Sequence, residues 1–210
     1  MYRHITPGLS EAVDIELIQR LMADGAMAGA TVLDCGCGPG NTAFRLATAG
    51  AAKVVAIDAD PNMLRQVPDH PRIEKVQSSI APGALSEICG EACADIVLFK
   101  RSLYQTHAAQ ILHDAWRTLK ATGTLIVVLP HRDIVSYVFG DPPRLRPYSP
   151  YLLFNRLVSL AASRFWNHTY RVATESELVS MMEEAIPGSH PAPYLNSGLP
   201  FATVAASKAA

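Results

Sequence analysis

The chain has 210 residues, a formal net charge of -1 at pH 7, and 49% hydrophobic against 18% charged residues. This length is enough for one domain with a sizeable core, and the composition excludes an intrinsically disordered chain. The charge balance disfavours a general nucleic-acid-binding surface, and no apolar run approaches the roughly 18 residues of a membrane-spanning helix. Four cysteines without a regular framework, and an N-terminus unlike a secretory signal, predict a cytoplasmic protein with reduced thiols.

Helical and strand patterns alternate along the first 130 residues. Continuous apolar strands separated by helices are typical of a parallel sheet covered on both faces. The fourth helix pattern has one apolar face, and its polar face carries Gln110, His113, Asp114 and Arg117. The pattern predicts helices over 10–22, 42–50, 61–67 and 107–120, and strands over 31–35, 53–58, 72–77, 94–99 and 121–130.

A segment of different composition follows the fifth predicted strand. Residues 131–171 contain six arginines, two aspartates and eight aromatic side chains, and include a predicted helix over 151–165. A predicted helix over 174–185, with a capping box, then resumes the alternation of helices and strands. Two short strand patterns, over 192–197 and 201–207, complete the chain.

The stretch VLDCGCGPGNT, residues 32–42, joins the first strand to the next helix. Its alternating glycines let the backbone approach a ligand and direct N–H groups at it. The third glycine comes one residue earlier than in the dinucleotide motif, and the Gly-Lys-Ser/Thr ending of a P-loop is absent. Asp34 would repel a pyrophosphate and favour an ammonium or sulfonium group. The stretch therefore predicts a nucleoside-sized ligand with a cationic part, which S-adenosylmethionine fits.

With VVAIDADPNML, ADIVLFKRSLYQ and AWRTLKATGTLIVVLP, this stretch resembles the class I S-adenosylmethionine-dependent methyltransferases of the small-molecule type. The resemblance covers roughly residues 10–130 with specific spacing. It implies an α/β, Rossmann-like, doubly wound fold, whose mostly parallel sheet has about seven strands and an antiparallel C-terminal strand. A single domain over 1–210 is expected, with 131–171 as a helical lid inserted after strand 5. The cofactor would be S-adenosyl-L-methionine and its product S-adenosyl-L-homocysteine.

The resemblance also implies which residues contact the cofactor. Asp34 would lie near the amino group, and Asp58 would accept hydrogen bonds from the two ribose hydroxyls. Ser79 stands where the family often has an acid for the adenine amino group, and Ile80 would stack on the base. The backbone at Lys100 would face the amino-acid end. The full expected set is Asp34, Gly36, Cys37, Gly38, Gly40, Asp58, Ala59, Met63, Ser79, Ile80 and Lys100.

Catalytic and substrate-binding residues are expected around the end of the fourth strand. His107 is a candidate general base for an oxygen or amine, with nearby Tyr104 as a second catalytic candidate, whereas a capping or loop role is the alternative for His107. Arg144, Arg146 and Tyr148 are expected to contact an aromatic or apolar substrate with an anionic group. A homodimer interface, a membrane-surface contact or a solvated cap stay open for the same segment.

The cysteines are interpreted as small buried hydrophobic side chains. Cys35 and Cys37 alternate and are expected to face the same side, while Cys89 and Cys93 stand at helical spacing. A zinc site formed by all four is the alternative, because tetrahedral zinc usually needs two such pairs. No metal is predicted.

Three other functions stay open from the residues alone. A nucleic-acid or protein methyltransferase is disfavoured, because FKRSLY stands where amino-base methylating relatives have an Asn/Asp-Pro-Pro-aromatic motif. A cofactor-binding protein of the same fold would catalyse another reaction or none. An NAD-dependent enzyme is disfavoured by Asp34 and the early third glycine. The predicted partner is a small-molecule substrate, without nucleic acid.

Overall fold

The computed structural model describes residues 7–103, 107–131, 173–195 and 201–208. These residues form helices on both faces of one sheet. The helices are α1 (Pro7–Ala23), α2 (Asn41–Thr48), α3 (Pro61–Leu64), α4 (Ala84–Cys89), α5 (Ala108–Thr118) and α6 (Glu175–Ala185). The strands are β1 (Thr31–Cys35), β2 (Lys53–Asp58), β3 (Ile73–Gln77), β4 (Ala94–Lys100), β5 (Leu119–Pro130), β6 (Ala192–Pro193) and β7 (Phe201–Ser207).

The sheet has seven strands in the order β3-β2-β1-β4-β5-β7-β6. The first five strands pair in parallel, β7 runs antiparallel to β5, and the two-residue β6 runs antiparallel to β7. This architecture confirms the predicted Rossmann-like, mostly parallel sheet with an antiparallel C-terminal strand. The proposed single-domain boundaries stay a prediction.

The core lies in two layers, one on each face of the sheet. Helices α1, α2 and α3 cover the face on which Val32 points, and α4, α5 and α6 cover the face on which Leu33 points. Both side chains are fully buried, because successive residues of a strand point to opposite faces. Each such burial contributes about 1.5–3 kcal/mol to folding.

The strand order places a crevice at the carboxyl ends of β1 and β4. The chain moves outward from β1 to β2 and β3 on one side, and from β4 to β5 on the other. A parallel sheet binds ligands where its strand order reverses in this way. Within the described residues, no helix is both long and apolar enough to span a bilayer.

Helix α4 is an element that the sequence pattern did not predict. Its six residues are too few for a helical period to show, and glycines with positive φ, Gly83 and Gly90, bound it. Asp114 accepts hydrogen bonds from the Leu85 amide at 2.9 Å and from the Ser86 hydroxyl. The expectation that Asp114 lies on the polar face of α5 is therefore wrong, because its buried carboxylate satisfies the start of α4.

Two expectations about the cysteines are also wrong. The first is that all four are reduced thiols: Cys89 and Cys93 are joined by a disulfide, because the turn after α4 brings their Cα atoms to 6.0 Å. Cys35 and Cys37 are free and buried as expected, but they lie on opposite faces of the sheet. Gly36, with φ of 76°, interrupts the strand alternation between them.

Candidate cofactor site

The glycine loop, residues 36–40, lies at the crevice between the end of β1 and the start of α2. The amides of Gly36 and Cys37 both donate to the Ile57 carbonyl, at 2.8 and 2.9 Å, and the Gly40 amide donates to the Cys37 carbonyl at 3.1 Å. The loop is thus hydrogen-bonded to the end of β2. Its shape is therefore set by the protein itself.

The three glycines of the loop serve two different purposes. A Cβ on Gly36 would lie 2.3 Å from Ser102 Cβ, and one on Gly40 would lie 2.6 Å from Val67 Cγ1. For Gly38, with φ of 55°, no heavy atom of the described residues beyond its chain neighbours lies within 4 Å of the same position. The outer glycines thus permit close packing, whereas the middle glycine faces open space that a ligand can occupy.

Asp58 closes the other side of the crevice at the end of β2. Its Oδ2 accepts from the Gly38 amide at 2.8 Å, and its Oδ1 accepts from the Asp60 amide at 2.9 Å. Each carboxylate oxygen keeps a lone-pair site for a further donor. The carboxylate is therefore held in place and able to accept from two adjacent hydroxyls.

We expect Asp58→Asn to weaken binding of 5′-methylthioadenosine, which carries the adenosine part alone, by about 30-fold. The amide presents one acceptor atom in place of two, so one ribose hydroxyl and one loop amide lose their charged partner. Calorimetric titration of the two proteins measures the effect, with Asp69→Asn as an exposed-site control. Equal affinities would contradict the ribose assignment.

Asp34 lies at the base of the crevice and is 2% exposed. Its Oδ2 has no hydrogen-bond partner among the described residues. Burial raises the pKa of the Asp34 carboxyl to about 7, with Asp14 and Asp58 adding to the rise and Lys100 opposing it. A buried carboxylate oxygen without a partner destabilises the unliganded protein, and a cationic ligand group would satisfy it.

The side chain of Lys100 turns from the end of β4 towards α1. Its Nζ donates to Asp14 Oδ1 at 2.5 Å and to Ser10 Oγ at 3.3 Å, and Thr42 Oγ1 donates to the same Asp14 oxygen at 3.1 Å. Asp14 was not among the site residues expected from the sequence. The available signal was an acid on the otherwise apolar stripe of α1, which is a position where an unpaired charge is unstable.

The other expected cofactor residues follow β2 and β3 at the same edge of the sheet. Ala59 and Ser79 are exposed, while Met63 and Ile80 are half-buried, with Ile80 against the core. The Cys37 thiol instead lies in the core on the α1 side of the sheet, where burial raises its pKa to about 12. Only the backbone of Cys37 therefore borders the crevice, and its contact with a cofactor stays a prediction.

His107 immediately precedes α5, beyond the end of β4. It is exposed, has a φ of 63° and makes no side-chain cap. Its Nδ1 is 2.8 Å from Gln110 Oε1. The other expected catalytic and substrate residues, and all of the expected lid except His131, lie outside the described residues: Tyr104, Arg144, Arg146, Tyr148 and 132–171.

Residues 32–123, from β1 into β5, match a known family described as Methyltransferase domain. A search of the curated proteins gives no match. A solved structure of a candidate S-adenosylmethionine dependent methyltransferase from Listeria monocytogenes is 26% identical, with a TM-score of 0.49. That alignment covers 65% of this chain and 59% of the Listeria protein, so this chain spans about three fifths of that relative's length.

Two further solved structures share the fold at lower identity. A SAM dependent methyltransferase from Aquifex aeolicus is 17% identical over 94% of this chain and 92% of its own, with a TM-score of 0.60. The 1,6-didemethyltoxoflavin-N1-methyltransferase of Burkholderia thailandensis was solved with 1,6-didemethyltoxoflavin and S-adenosylhomocysteine bound. It is 18% identical over 94% of this chain and 79% of its own, with a TM-score of 0.56.

Proposed function

We propose that this chain, which belongs to the class I S-adenosylmethionine-dependent methyltransferases through residues 32–123, transfers the methyl group of S-adenosylmethionine to a small molecule. The observation that carries the proposal is the buried Asp34 Oδ2, which has no hydrogen-bond partner among the described residues, in a crevice whose loop leaves open space at Gly38. A site for a nucleotide phosphate would carry no such acid. A ligand with an ammonium group beside an adenosine satisfies both features.

Each part of the cofactor has a proposed partner in the crevice. Asp34 would accept from the amino group, Asp58 would accept from the ribose hydroxyls, and the Gly38 backbone would lie beneath the sugar and sulfur. Ser79 would accept from the adenine amino group, beside Ile80. Ala59, Met63 and the backbones of Cys37 and Lys100 complete the proposed contacts.

The protein has little covalent chemistry to supply. The sulfonium group of the bound cofactor provides an already activated methyl group. The residues of the chain would hold the oxygen, nitrogen or carbon nucleophile of the acceptor in line with it and keep water out, which supplies much of the rate acceleration.

The acceptor is proposed to be an aromatic or apolar compound with an anionic group. Support comes from the composition of 131–171, whose arginines and aromatic residues follow the strand that borders the crevice. Arg144 and Arg146 would bind the anion, and Tyr148 would contact the ring. Tyr104 is proposed to lie beside the reacting group.

The test is methyl transfer from tritiated S-adenosylmethionine to a panel of aromatic carboxylates and phosphates, with S-adenosylhomocysteine formation measured in parallel. Turnover of one panel member, absent in Asp34→Asn, is the expected result. Methylation of RNA or protein in place of the panel would overturn the acceptor class. Binding of NADH without binding of S-adenosylmethionine would overturn the cofactor.

We expect His107→Ala to lower kcat about 100-fold on an acceptor that must lose a proton. The affinity for S-adenosylhomocysteine should stay unchanged, because His107 is not among the proposed cofactor contacts. His113→Ala is the matched control, because His113 is an exposed histidine on the same helix. Unchanged turnover and an unchanged pH profile in His107→Ala would contradict a role as general base.

A further inference from the structure

The ion pair between Asp14 and Lys100 differs from the other Lys–Asp pair on β4. The side chains of Asp14 and Lys100 are 2% and 11% exposed, whereas those of Asp95 and Lys120 are 29% and 42% exposed. Burying an ion pair costs several kcal/mol per ion in desolvation, and the attraction only partly offsets it. A buried pair at the mouth of a ligand site is therefore better explained by an electrostatic role there than by stability.

The pair lies close to Asp34, because β1 pairs with β4 and the register places Asp34 opposite Leu98, two residues before Lys100. Asp14 disfavours the ionised Asp34 carboxylate, and Lys100 favours it. Asp58 faces the same cluster from β2 and also disfavours the ionised Asp34, while its own carboxylate is held in place by two backbone amides. Arg101, which donates to Ser10 Oγ at 3.4 Å, is half-exposed, so solvent screens its charge.

We propose that Asp14 and Lys100 set the net charge of the cofactor site, by cancelling each other so that Asp34 provides one uncompensated negative charge for the ligand's ammonium group. This inference rests on the proposed function, because it takes S-adenosylmethionine as the ligand. Asp14 and Lys100 are positioning residues in this account. Asp14 acts through Lys100, which it keeps from pairing with Asp34.

When only the Asp14 charge of the pair is removed, the site should lose its preference for a ligand with an ammonium group over one without. In Asp14→Asn the shape is kept, but the Lys100 ammonium becomes free to pair with Asp34 and to replace the ligand's ammonium there. In the double variant Asp14→Asn with Lys100→Met, both charges are gone and Asp34 is again uncompensated. The affinity for a ligand with an ammonium group should therefore follow the summed charge of Asp14, Lys100 and Asp34.

The experiment is calorimetric titration with two ligands, S-adenosylhomocysteine and 5′-methylthioadenosine, of which only the first carries an ammonium group. Asp14→Asn should weaken the first about tenfold or more and change the second less than about twofold. The double variant should recover most of the loss. Asp95→Asn, the same substitution in the more exposed pair, should leave both affinities unchanged.

A second variant tests the inference from the other side. In Lys100→Met, Asp14 is uncompensated and disfavours the ionised Asp34. The affinity for S-adenosylhomocysteine should rise with pH, and the pH at the midpoint of this rise should be higher than in the wild type by at least about one unit. This result does not depend on whether Asp14→Asn folds. An unmoved midpoint would overturn the inference.

The outcomes separate this inference from the proposed function. Equal losses for both ligands in Asp14→Asn would mean that the pair only holds α1 in place, which overturns the inference alone. An unchanged ratio of affinities would do the same. A wild-type protein that binds neither ligand would contradict the proposed function and, with it, the inference.

Discussion

Replacing Asp34 with asparagine is expected to abolish S-adenosylhomocysteine binding and, at the same time, to stabilise the unliganded protein. Binding should fall by at least about 100-fold, because a buried carboxylate paired with an ammonium group is replaced by a neutral amide. The stability gain arises because Asp34 is buried with an oxygen that has no partner among the described residues. The residue would thus serve binding at the expense of folding.

The pH dependence of that gain has a definite sign. Burial raises the pKa of Asp34 from 3.8 to about 7, so between these values the folded protein holds a proton that the unfolded chain has released. The contribution of Asp34 to stability therefore falls as pH rises and levels off above about 7. Above about pH 7 the raised pKa lowers the free energy of unfolding by about 4 kcal/mol. We expect Asp34→Asn to recover about 2 kcal/mol of this loss.

Thermal unfolding of the wild type and Asp34→Asn measures this effect. At about pH 8 the variant should melt roughly 5 °C higher, and the difference should shrink as the pH falls towards about 4. Asp95→Asn is the matched control, because Asp95 is half-buried but hydrogen-bonded to the Thr31 amide and to Lys120. An Asp34→Asn protein that melts lower at high pH, or still binds S-adenosylhomocysteine, would contradict the account.

Alanine at Gly38 should mainly weaken ligand binding, whereas alanine at Gly40 should mainly lower stability. Both positions have positive φ, so both variants lose about 1–2 kcal/mol from backbone strain. Of these two positions, only Gly40 would place the new Cβ against another of the described residues, at 2.6 Å from Val67 Cγ1. Gly40→Ala should therefore lose about 3 kcal/mol or more of stability, whereas Gly38→Ala should stay folded and lose ligand affinity.

Chemical denaturation and calorimetric titration of the two variants distinguish the effects. Gly38→Ala should bind 5′-methylthioadenosine at least about tenfold more weakly, because its methyl group fills the space assigned to the ligand. Gly25→Ala provides a control for strain, since Gly25 has positive φ, lies away from the crevice, and among the described residues has no neighbour within 4 Å of an added Cβ. A Gly38→Ala protein with full ligand affinity would place the ligand elsewhere.

The sheet and the glycine loop could be predicted because their signals are local. Five apolar strands alternate with helices, so the parallel order follows from chain connectivity and handedness. The placement of Asp34 and Asp58 at strand ends follows from the same reasoning, because parallel strands end at one edge of the sheet. Because β1 and β2 are neighbours in the observed sheet, Asp34 and Asp58 lie at the same edge and border one crevice.

The partners of these acids could not be predicted, because they depend on contacts between residues distant in sequence. Lys100 and Asp14 are 86 residues apart and meet only when α1 packs beside the end of β4. The helical period of α5 placed Asp114 on the polar face. Helix α4, which the sequence pattern did not predict, provides its buried partner Ser86, 28 residues earlier in the chain. A helical period describes only the helix itself, and whether a polar position is buried depends on what packs against it.

The most direct measurement is the affinity of the wild-type protein for S-adenosylhomocysteine and 5′-methylthioadenosine from about pH 5.5 to about pH 8.5, a range that brackets the Asp34 pKa of about 7. Ionisation of Asp34 should favour only the ligand with an ammonium group. The account predicts that S-adenosylhomocysteine binds more tightly as pH rises through this range, while the affinity for 5′-methylthioadenosine stays nearly constant. Absence of binding, or a parallel pH dependence of the two ligands, would contradict the assignment of Asp34 to the cofactor's amino group.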